Sequence, residues 1–118
     1  MNDTEIQPIL TSIIKEAGEL VKEGFYTTKQ ISFKSPSDPV TNIDLASETL
    51  IRERLGQYFP DIEILGEEYG GNIISDELRW VIDPIDGTRN FAAGIPHFCV
   101  SIGLVQGNNP VVGSIYDP

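Results

Sequence analysis

The sequence has only one cysteine in 118 residues, and this scarcity excludes two kinds of site. A single thiol cannot form a disulfide within the chain, and one cysteine cannot build a thiolate metal cluster. Cys99 lies in an apolar run, FCVSIGLV. Free cysteines are among the residues that proteins bury most often, so we predict that Cys99 is a reduced residue of the hydrophobic core.

Basic side chains are also scarce. Eight lysines and arginines stand against eighteen aspartates and glutamates, which gives a net charge of −10. A surface for nucleic acid or anionic membrane needs a basic patch, so neither partner is expected. The acidic excess fits either plain solubility or carboxylates gathered around cations. The sequence also lacks a secretory signal and any apolar run long enough to span a bilayer, which predicts a cytoplasmic protein.

The spacing of apolar residues predicts an α+β fold. A helix is predicted over residues 4–23, with Gly24 as its stop and Pro8 expected only near its first turn. A second helix is predicted from Thr41 to Gly56. Strands are predicted over residues 30–34, 62–65, 80–82, 98–105 and 110–116, and a turn over 35–39. Two helices packed on one face of a mostly antiparallel sheet account for this order.

Thr41 has the features of a helix N-cap. Asp44 stands three residues later, which resembles a capping box with aspartate in place of the usual glutamate. The apolar face predicted for this second helix consists of Ile43, Ala46, Leu50, Ile51 and Leu55. A structural role therefore explains Asp44 on local grounds alone.

The segment richest in chemical information is residues 80–91, WVIDPIDGTRNF. A buried strand is predicted to end at Pro84 and at the Asp-Gly pair that follows. The bend can bring Asp83 and Asp86 to one side, with the Ile85 carbonyl between them. These hard oxygen donors suit Mg²⁺, Mn²⁺ or Ca²⁺ and not zinc.

Gly87 and Thr88 add a second feature, because they can begin a helix. The unpaired N–H groups of a helix start favour a phosphate group. Metal ligands directly before such a start match the needs of metal-assisted phosphoryl transfer. An ordinary strand followed by an Asp-Gly turn explains the same residues equally well. An EF-hand calcium loop does not explain them. Counted from Asp83, the residues at its ligand and glycine positions do not match the EF-hand pattern.

Several other polar residues are weaker candidates. Glu67 and Glu68 follow a predicted strand. If that strand lies beside residues 80–82, one of their carboxylates would reach the same site. For Glu68 we favour a position in a solvated turn. Lys34 fits either a surface position or contact with phosphate or a metal-bound water. His97 is interpreted as structural.

Together these segments resemble the inositol monophosphatase family of lithium-sensitive, magnesium-dependent phosphatases. The resemblance rests on the motifs WVIDPIDGTRNF, GEE at residues 66–68, DPVTNID at 38–44, and the hairpin segments PHFCVSIGLV and VVGSIYDP. The resemblance implies the N-terminal part of a layered α/β/α/β/α sugar-phosphatase fold. Residues 1–118 would form its metal- and phosphate-binding domain, and family members often form homodimers.

The resemblance also implies a set of metal ligands. Glu67, Asp83 and the Ile85 carbonyl would bind a first Mg²⁺. Asp83 and Asp86 would contribute to a second ion, and Glu67 would help hold a third, largely hydrated one. Mn²⁺ could replace Mg²⁺.

The same resemblance implies roles in hydrolysis. Thr88 and Glu67 would orient and activate the attacking water, and Asp44 would polarise the Thr88 hydroxyl. The N–H groups of Gly87 and Thr88 would hold the phosphate, with Lys34 at the edge of the site. The substrate would be a small phosphorylated polyol or sugar.

Two departures from the family pattern qualify these expectations. Arg89 replaces the small polar residue of the commonest signature, so fructose bisphosphate, histidinol phosphate and phosphoadenosine phosphate stay open as alternative substrates. The Trp-Asp motif of the family's second half, which supplies a further metal ligand, is absent. We therefore expect little turnover from the 118-residue chain alone. A non-catalytic metal- or partner-binding module is the alternative from another functional class.

Overall fold

The computed structural model describes residues 3–36, 38–66, 77–107 and 109–118. Within them, three helices and six strands follow one another. In chain order these are α1 (Asp3–Phe25), β1 (Ile31–Ser35), β2 (Asp38–Thr41), α2 (Asn42–Tyr58), β3 (Glu63–Gly66), β4 (Leu78–Asp86), α3 (Thr88–Ala92), β5 (Cys99–Gln106) and β6 (Asn109–Tyr116). None of the described helices is long and apolar enough to cross a membrane.

Four strands form the main sheet, in the order β3-β4-β5-β6. β3 runs parallel to β4, whereas β4 with β5 and β5 with β6 are antiparallel pairs. β1 and β2 form a separate antiparallel hairpin. The predicted α+β fold with a mostly antiparallel sheet is therefore confirmed, and so is the predicted hairpin of the last two strands.

The hydrophobic core lies between the two long helices and one face of the main sheet. α1 packs on β5 and β6, and α2 packs on β4. Side chains alternate along a strand, so every second residue of the central strands faces the helices, and Trp80, Ile102 and Leu104 are almost fully buried there. Burying each such side chain contributes about 1.5–3 kcal/mol. This packing holds α2 in a fixed position against β4.

α1 begins at Asp3, one residue before its predicted start, and Pro8 lies inside the helix and not in its first turn. A proline inside a helix removes one backbone hydrogen bond and costs about 3 kcal/mol. Ile6 and Leu10, on either side of Pro8, are buried in the core. Burial of these two side chains offsets the cost, so tertiary packing overrides the local signal.

α2 also continues past its predicted end at Gly56. It reaches Tyr58, although a glycine inside a helix costs about 1 kcal/mol relative to alanine. Leu55 and Phe59 are buried on the core side of this last turn, and the ring of Phe59 lies 5.2 Å from that of Trp80. Their burial holds the end of the helix in place.

Two strands differ from the prediction. The segment 35–39, predicted as a turn, contains the start of β2, and Pro39 is tolerated there because the hairpin leaves an edge where an N–H is not needed. β4 does not end at Pro84 but runs to Asp86. Its pairing with β5 shifts register between Asp83 and Asp86, and such a bulge accommodates a proline within a strand.

Candidate active site

The bulge at the end of β4 forms one wall of an acidic cavity. The cavity has a volume of about 250 Å³, and its lining residues are Asp38, Pro39, Asp83, Ile85, Asp86, Gly87, Thr88 and Arg89. Asp83 is partly exposed and Asp86 is exposed. The bend therefore brings both aspartates to one side of the strand, together with Ile85, Gly87 and Thr88, as the sequence predicted.

Gly87 is the residue at which the chain turns from β4 into α3. Its φ is 96°, in the left-handed region that side chains rarely adopt. A Cβ at this position would lie 2.9 Å from the backbone oxygen of His97. The helix then begins at Thr88, so the predicted helix start is present. His97 itself is exposed and takes part through its backbone.

Asp44 joins α2 to this turn. The Asp44 side chain is fully buried, and its Oδ2 accepts from the backbone N–H of Thr41 at 2.8 Å and from the Thr41 hydroxyl at 2.5 Å. Thr41 Oγ1 in turn accepts from the Asp44 N–H at 3.2 Å, which completes the predicted capping box. Oδ1 of Asp44 accepts from the Thr88 hydroxyl at 2.8 Å.

The Thr88 hydroxyl has two acceptors within reach but only one proton. Asp44 Oδ1 lies at 2.8 Å and the Ile85 carbonyl oxygen at 3.0 Å. A carboxylate is the stronger acceptor, and its bond is the shorter one. Donation to Asp44 leaves the lone pairs of Thr88 Oγ1 available to accept from a water, and leaves the Ile85 carbonyl available to another partner.

The buried face of α2 is less apolar than predicted. Ile51 and Leu55 are buried, but Ala46 is exposed. Ser47 and Glu48 are fully buried instead, and sequence analysis did not identify them. Their spacing from Asp44, three and four residues, was the available signal, because such residues share one face of a helix.

Glu67 and Glu68 lie outside the described residues. The strand before them, β3, lies beside β4, which meets the condition stated for these residues, and Gly66 pairs with Ile82. β3 therefore ends beside Ile82, the residue that precedes Asp83 in β4.

Lys34 lies in β1, in the separate hairpin. Its Nζ is 3.7 Å from Oδ2 of Asp38, and both side chains are partly exposed. Asp38 lines the acidic cavity, whereas Lys34 is not among its lining residues. Lys34 is thus close to the site through its ion pair with Asp38, a residue that sequence analysis did not identify.

Cys99 is only partly buried, so the prediction that it belongs to the core is wrong. It begins β5, and its Sγ lies 3.9 Å from Oδ2 of Asp86. Burial raises the pKa of the Cys99 thiol, and the carboxylates of Asp86, Asp83 and Asp117 raise it further. The thiol is therefore protonated near neutral pH and is a poor nucleophile.

The described donors fit a divalent cation in their chemistry but do not complete a site. Within the described residues, no group of three or more histidine, cysteine, aspartate or glutamate side chains could hold a metal ion. Asp83 and Asp86 supply two carboxylates in one wall, and the Ile85 carbonyl lies beside Thr88. These are hard oxygen donors, which Mg²⁺ and Mn²⁺ prefer. Glu67 is the predicted further ligand.

A larger apolar groove of about 430 Å³ adjoins the acidic cavity. It lies between the β1–β2 hairpin and α3, and its lining residues are Ile31, Phe33, Pro36, Pro39, Arg89, Ala92 and Ala93. Arg89 and Pro39 line both spaces. A cationic side chain therefore stands where the two meet.

Comparison with known proteins places the chain in a family. The model of the inositol monophosphatase family matches residues 2–118. Inositol monophosphatase 1 of Solanum lycopersicum is 43% identical over 97% of this chain and 43% of its own length. The solved structure of the extragenic suppressor protein SuhB from Bartonella henselae superposes with a TM-score of 0.89, at 33% identity, over 97% of this chain and 45% of that one.

A further similar solved structure contains bound ligands. It is an IMPase/NADP phosphatase complexed with NADP and Ca²⁺, with a TM-score of 0.84 and 25% identity, over 97% of this chain and 44% of that one. The chain thus spans less than half the length of the relatives that it matches. With the family model covering residues 2–118, the chain belongs to the inositol monophosphatase family.

Proposed function

We propose that this chain forms the metal- and phosphate-binding domain of a Mg²⁺-dependent phosphatase. The reaction is the hydrolysis of a phosphate monoester, such as an inositol or sugar phosphate, to an alcohol and inorganic phosphate. The observation that carries the proposal is the 2.8 Å hydrogen bond from Thr88 to the buried Asp44, beside a cavity lined by Asp83 and Asp86.

The ligands proposed for Mg²⁺ or Mn²⁺ are Asp83, Asp86, the Ile85 carbonyl and Glu67. The first three contribute to one wall of the cavity. The Ca²⁺ in the NADP phosphatase complex supports a divalent cation in this family. When bound, such cations neutralise phosphoryl charge and lower the pKa of a coordinated water.

Thr88 is proposed to orient the attacking water. Because its proton is donated to Asp44, Thr88 Oγ1 presents lone pairs and can accept a hydrogen bond from that water. Holding the water in line with the scissile bond lowers the entropic part of the barrier. Glu67 is proposed to share in activating the water.

Gly87 and Thr88 are proposed to hold the phosphate through their N–H groups at the turn into α3. The left-handed conformation of Gly87 gives the turn its direction, and an added Cβ would press on the His97 backbone. Lys34, paired with Asp38, is proposed to act at the rim.

The central experiment measures phosphate release from inositol phosphates by the protein in its natural length, with and without Mg²⁺. We expect Mg²⁺-dependent hydrolysis that Asp86→Asn reduces at least 100-fold. Asp61→Asn makes the same change at an exposed position outside the cavity and should leave the rate unchanged. No release with Mg²⁺ or Mn²⁺, or equal rates for the two variants, would contradict the proposal. The 118-residue chain alone is expected to bind Mg²⁺ weakly and to turn over little.

A second candidate is a phosphatase for substrates that carry an additional anionic group. Arg89 favours it, since this cation lines both the acidic cavity and the apolar groove. The NADP in the related structure is a substrate-like molecule of this kind. A panel containing inositol phosphate, fructose bisphosphate, histidinol phosphate and phosphoadenosine phosphate distinguishes the two candidates by their kcat/KM values.

A non-catalytic module is the remaining alternative, and Glu67→Gln tests it. A phosphatase should lose nearly all phosphate release while its circular dichroism stays unchanged. A module that binds a protein partner should show no phosphate release before or after the substitution.

A further inference from the structure

The first two turns of α2 bury three polar side chains in a row along the helix. Asp44, Ser47 and Glu48, here called the polar stripe, are each fully buried. Residues three and four apart share one face of a helix, so all three point toward the sheet and the turns at its edge. Polar groups are costly to bury unless they are hydrogen-bonded, so each must find a partner there.

Each member of the polar stripe contacts a different segment of the candidate site. Asp44 accepts from Thr88 at the start of α3, the contact already described. Ser47 donates through its Oγ to the Pro84 carbonyl at 3.0 Å. Glu48 lies against Gly66, the last residue of β3. One helix therefore contacts the start of α3, the β4 bulge and the end of β3.

The contact of Ser47 lies inside the β4 bulge. Pro84 separates Asp83 from Ile85, and the ladder with β5 is interrupted between Asp83 and Asp86. The pairing of strands therefore does not define the orientation of these peptide groups. The hydrogen bond from Ser47 instead holds the carbonyl of the buried Pro84, which lies between Asp83 and Ile85 in the chain.

The contact of Glu48 lies at the end of β3. Its Oε2 accepts from Nε of Arg52 at 2.9 Å, and the Arg52 side chain is 28% exposed. A Cβ placed on Gly66 would overlap the Glu48 carboxylate, so the carboxylate packs directly on this piece of backbone. This packing fixes the position of Gly66, which immediately precedes Glu67 in the sequence.

We propose that Ser47 and Glu48 are positioning residues for the cation site. Ser47 sets the bulge that carries Asp83, Ile85 and Asp86, and Glu48 sets the strand end that leads to Glu67. The inference deepens the proposed function and rests on it. An apolar residue at either position would satisfy the core without the cost of burying a polar group. The contacts with two ligand-bearing segments explain why polar residues stand there.

The test compares Ser47→Ala and Glu48→Gln with matched controls in the protein of natural length. The controls are Ser12→Ala and Glu53→Gln, the same changes at exposed helical positions. Calorimetric titration gives the Kd for Mg²⁺, and phosphate release gives the half-saturating Mg²⁺ concentration and the kcat. Residues that support metal ligands change affinity by about 10–100-fold when replaced. We expect Mg²⁺ binding at least 10-fold weaker in both variants, near-normal kcat at saturating Mg²⁺, and wild-type values in both controls.

A residue is not a positioning residue if its variant folds and its Mg²⁺ Kd stays within twofold of the wild-type value, even if its melting temperature falls. If Glu48→Gln does not fold, Arg52→Gln removes the partner of the carboxylate at a partly exposed position and should itself weaken Mg²⁺ binding. A wild-type protein without phosphate release contradicts the proposed function, and unchanged Mg²⁺ binding in the variants of an active protein contradicts only the positioning roles.

Discussion

The aspartates of this site differ most in their surroundings. Asp44 is fully buried, and its two oxygens accept three hydrogen bonds from Thr41 and Thr88. Asp86 is exposed and lines an open cavity. A buried carboxylate with its acceptor positions engaged is suited to holding a neighbour in place, whereas an exposed one is free to meet a ligand. The same residue type thus occupies a buried, hydrogen-bonded position and an exposed position within the candidate site.

The first prediction concerns Thr88. Thr88→Ala removes the hydroxyl proposed to orient the attacking water, and it takes one donor away from the buried Asp44. We expect kcat to fall by roughly 10²-fold, the loss typical of a misplaced reacting group. The free energy of unfolding should fall by about 1–3 kcal/mol, because a buried acceptor loses its partner. Steady-state phosphate release and urea unfolding measure the two effects.

Thr88→Ser is the control for that prediction. It keeps the hydroxyl and removes only a methyl group, so most of the activity and stability should return. Equal loss in the alanine and serine variants would show that the methyl group, and not the hydroxyl, matters at this position.

At the scale of elements, α1 and α2 are joined by a charged contact outside the core. Arg54 of α2 donates to Glu16 of α1 through Nε at 3.0 Å and through Nη2 at 2.8 Å. These hydrogen bonds lower the pKa of Glu16, against a smaller opposing effect of burial. Both side chains are partly exposed, so salt and solvent screen the interaction.

The second prediction is that this pair makes stability depend on pH. The pKa of Glu16 is lower in the folded state than its ordinary value of 4.5. The stabilisation is therefore present above that value and is lost as the pH falls through the lowered pKa. Glu16→Gln should reduce the melting temperature slightly at pH 7, and the difference should disappear as the pH falls through the lowered pKa of Glu16.

Glu23→Gln makes the same charge change on an exposed part of α1 and is the matched control. Its effect on the melting temperature should be smaller at pH 7. A Glu16→Gln deficit that persists at low pH, or that is insensitive to salt, would contradict an electrostatic origin.

Sequence patterns best located the elements that have a regular spacing of apolar residues and a recognisable cap. The capping box of α2 was found from Thr41 and Asp44 alone, because its hydrogen bonds are local in sequence. Element ends were located less well. α2 passes Gly56 and β4 passes Pro84 because distant packing and a bulge outweigh the local preference against continuing. Such preferences amount to about 1–3 kcal/mol per residue, and tertiary contacts exceed them.

At the scale of the whole molecule, the two faces of the main sheet are unlike. The helices cover one face, whereas Val81 and Ile115 on the other face are exposed. Gly103 pairs with both Val81 and Gly113, so two glycines flatten the middle of this second face. Exposed apolar side chains on a sheet face favour association with other surfaces.

The third prediction is that this second face makes the chain self-associate or bind hydrophobic dyes. Ile115 is 73% exposed, so Ile115→Lys should reduce both effects and change the free energy of unfolding by less than about 0.5 kcal/mol. Sedimentation velocity, dye fluorescence and urea unfolding provide the measurements. Gln57→Lys adds the same charge at an exposed position on α2 and should leave association as it was. Equal behaviour of the two variants would indicate that net charge, and not this face, controls association.

The sequence by itself determined the fold class, the order of the main elements and the region of the site. The spacing of apolar residues that marks helices and strands is a local property of the sequence. The motif of residues 80–91 likewise holds its two aspartates three residues apart. Only the tertiary structure decided that α2 buries Ser47 and Glu48 rather than Ala46, and that Cys99 lies beside Asp86 rather than in the core. These features depend on contacts between segments far apart in the chain. Whether a polar residue on a helix is buried depends on a hydrogen-bond partner that is far away in the sequence. Only the folded chain brings the two together.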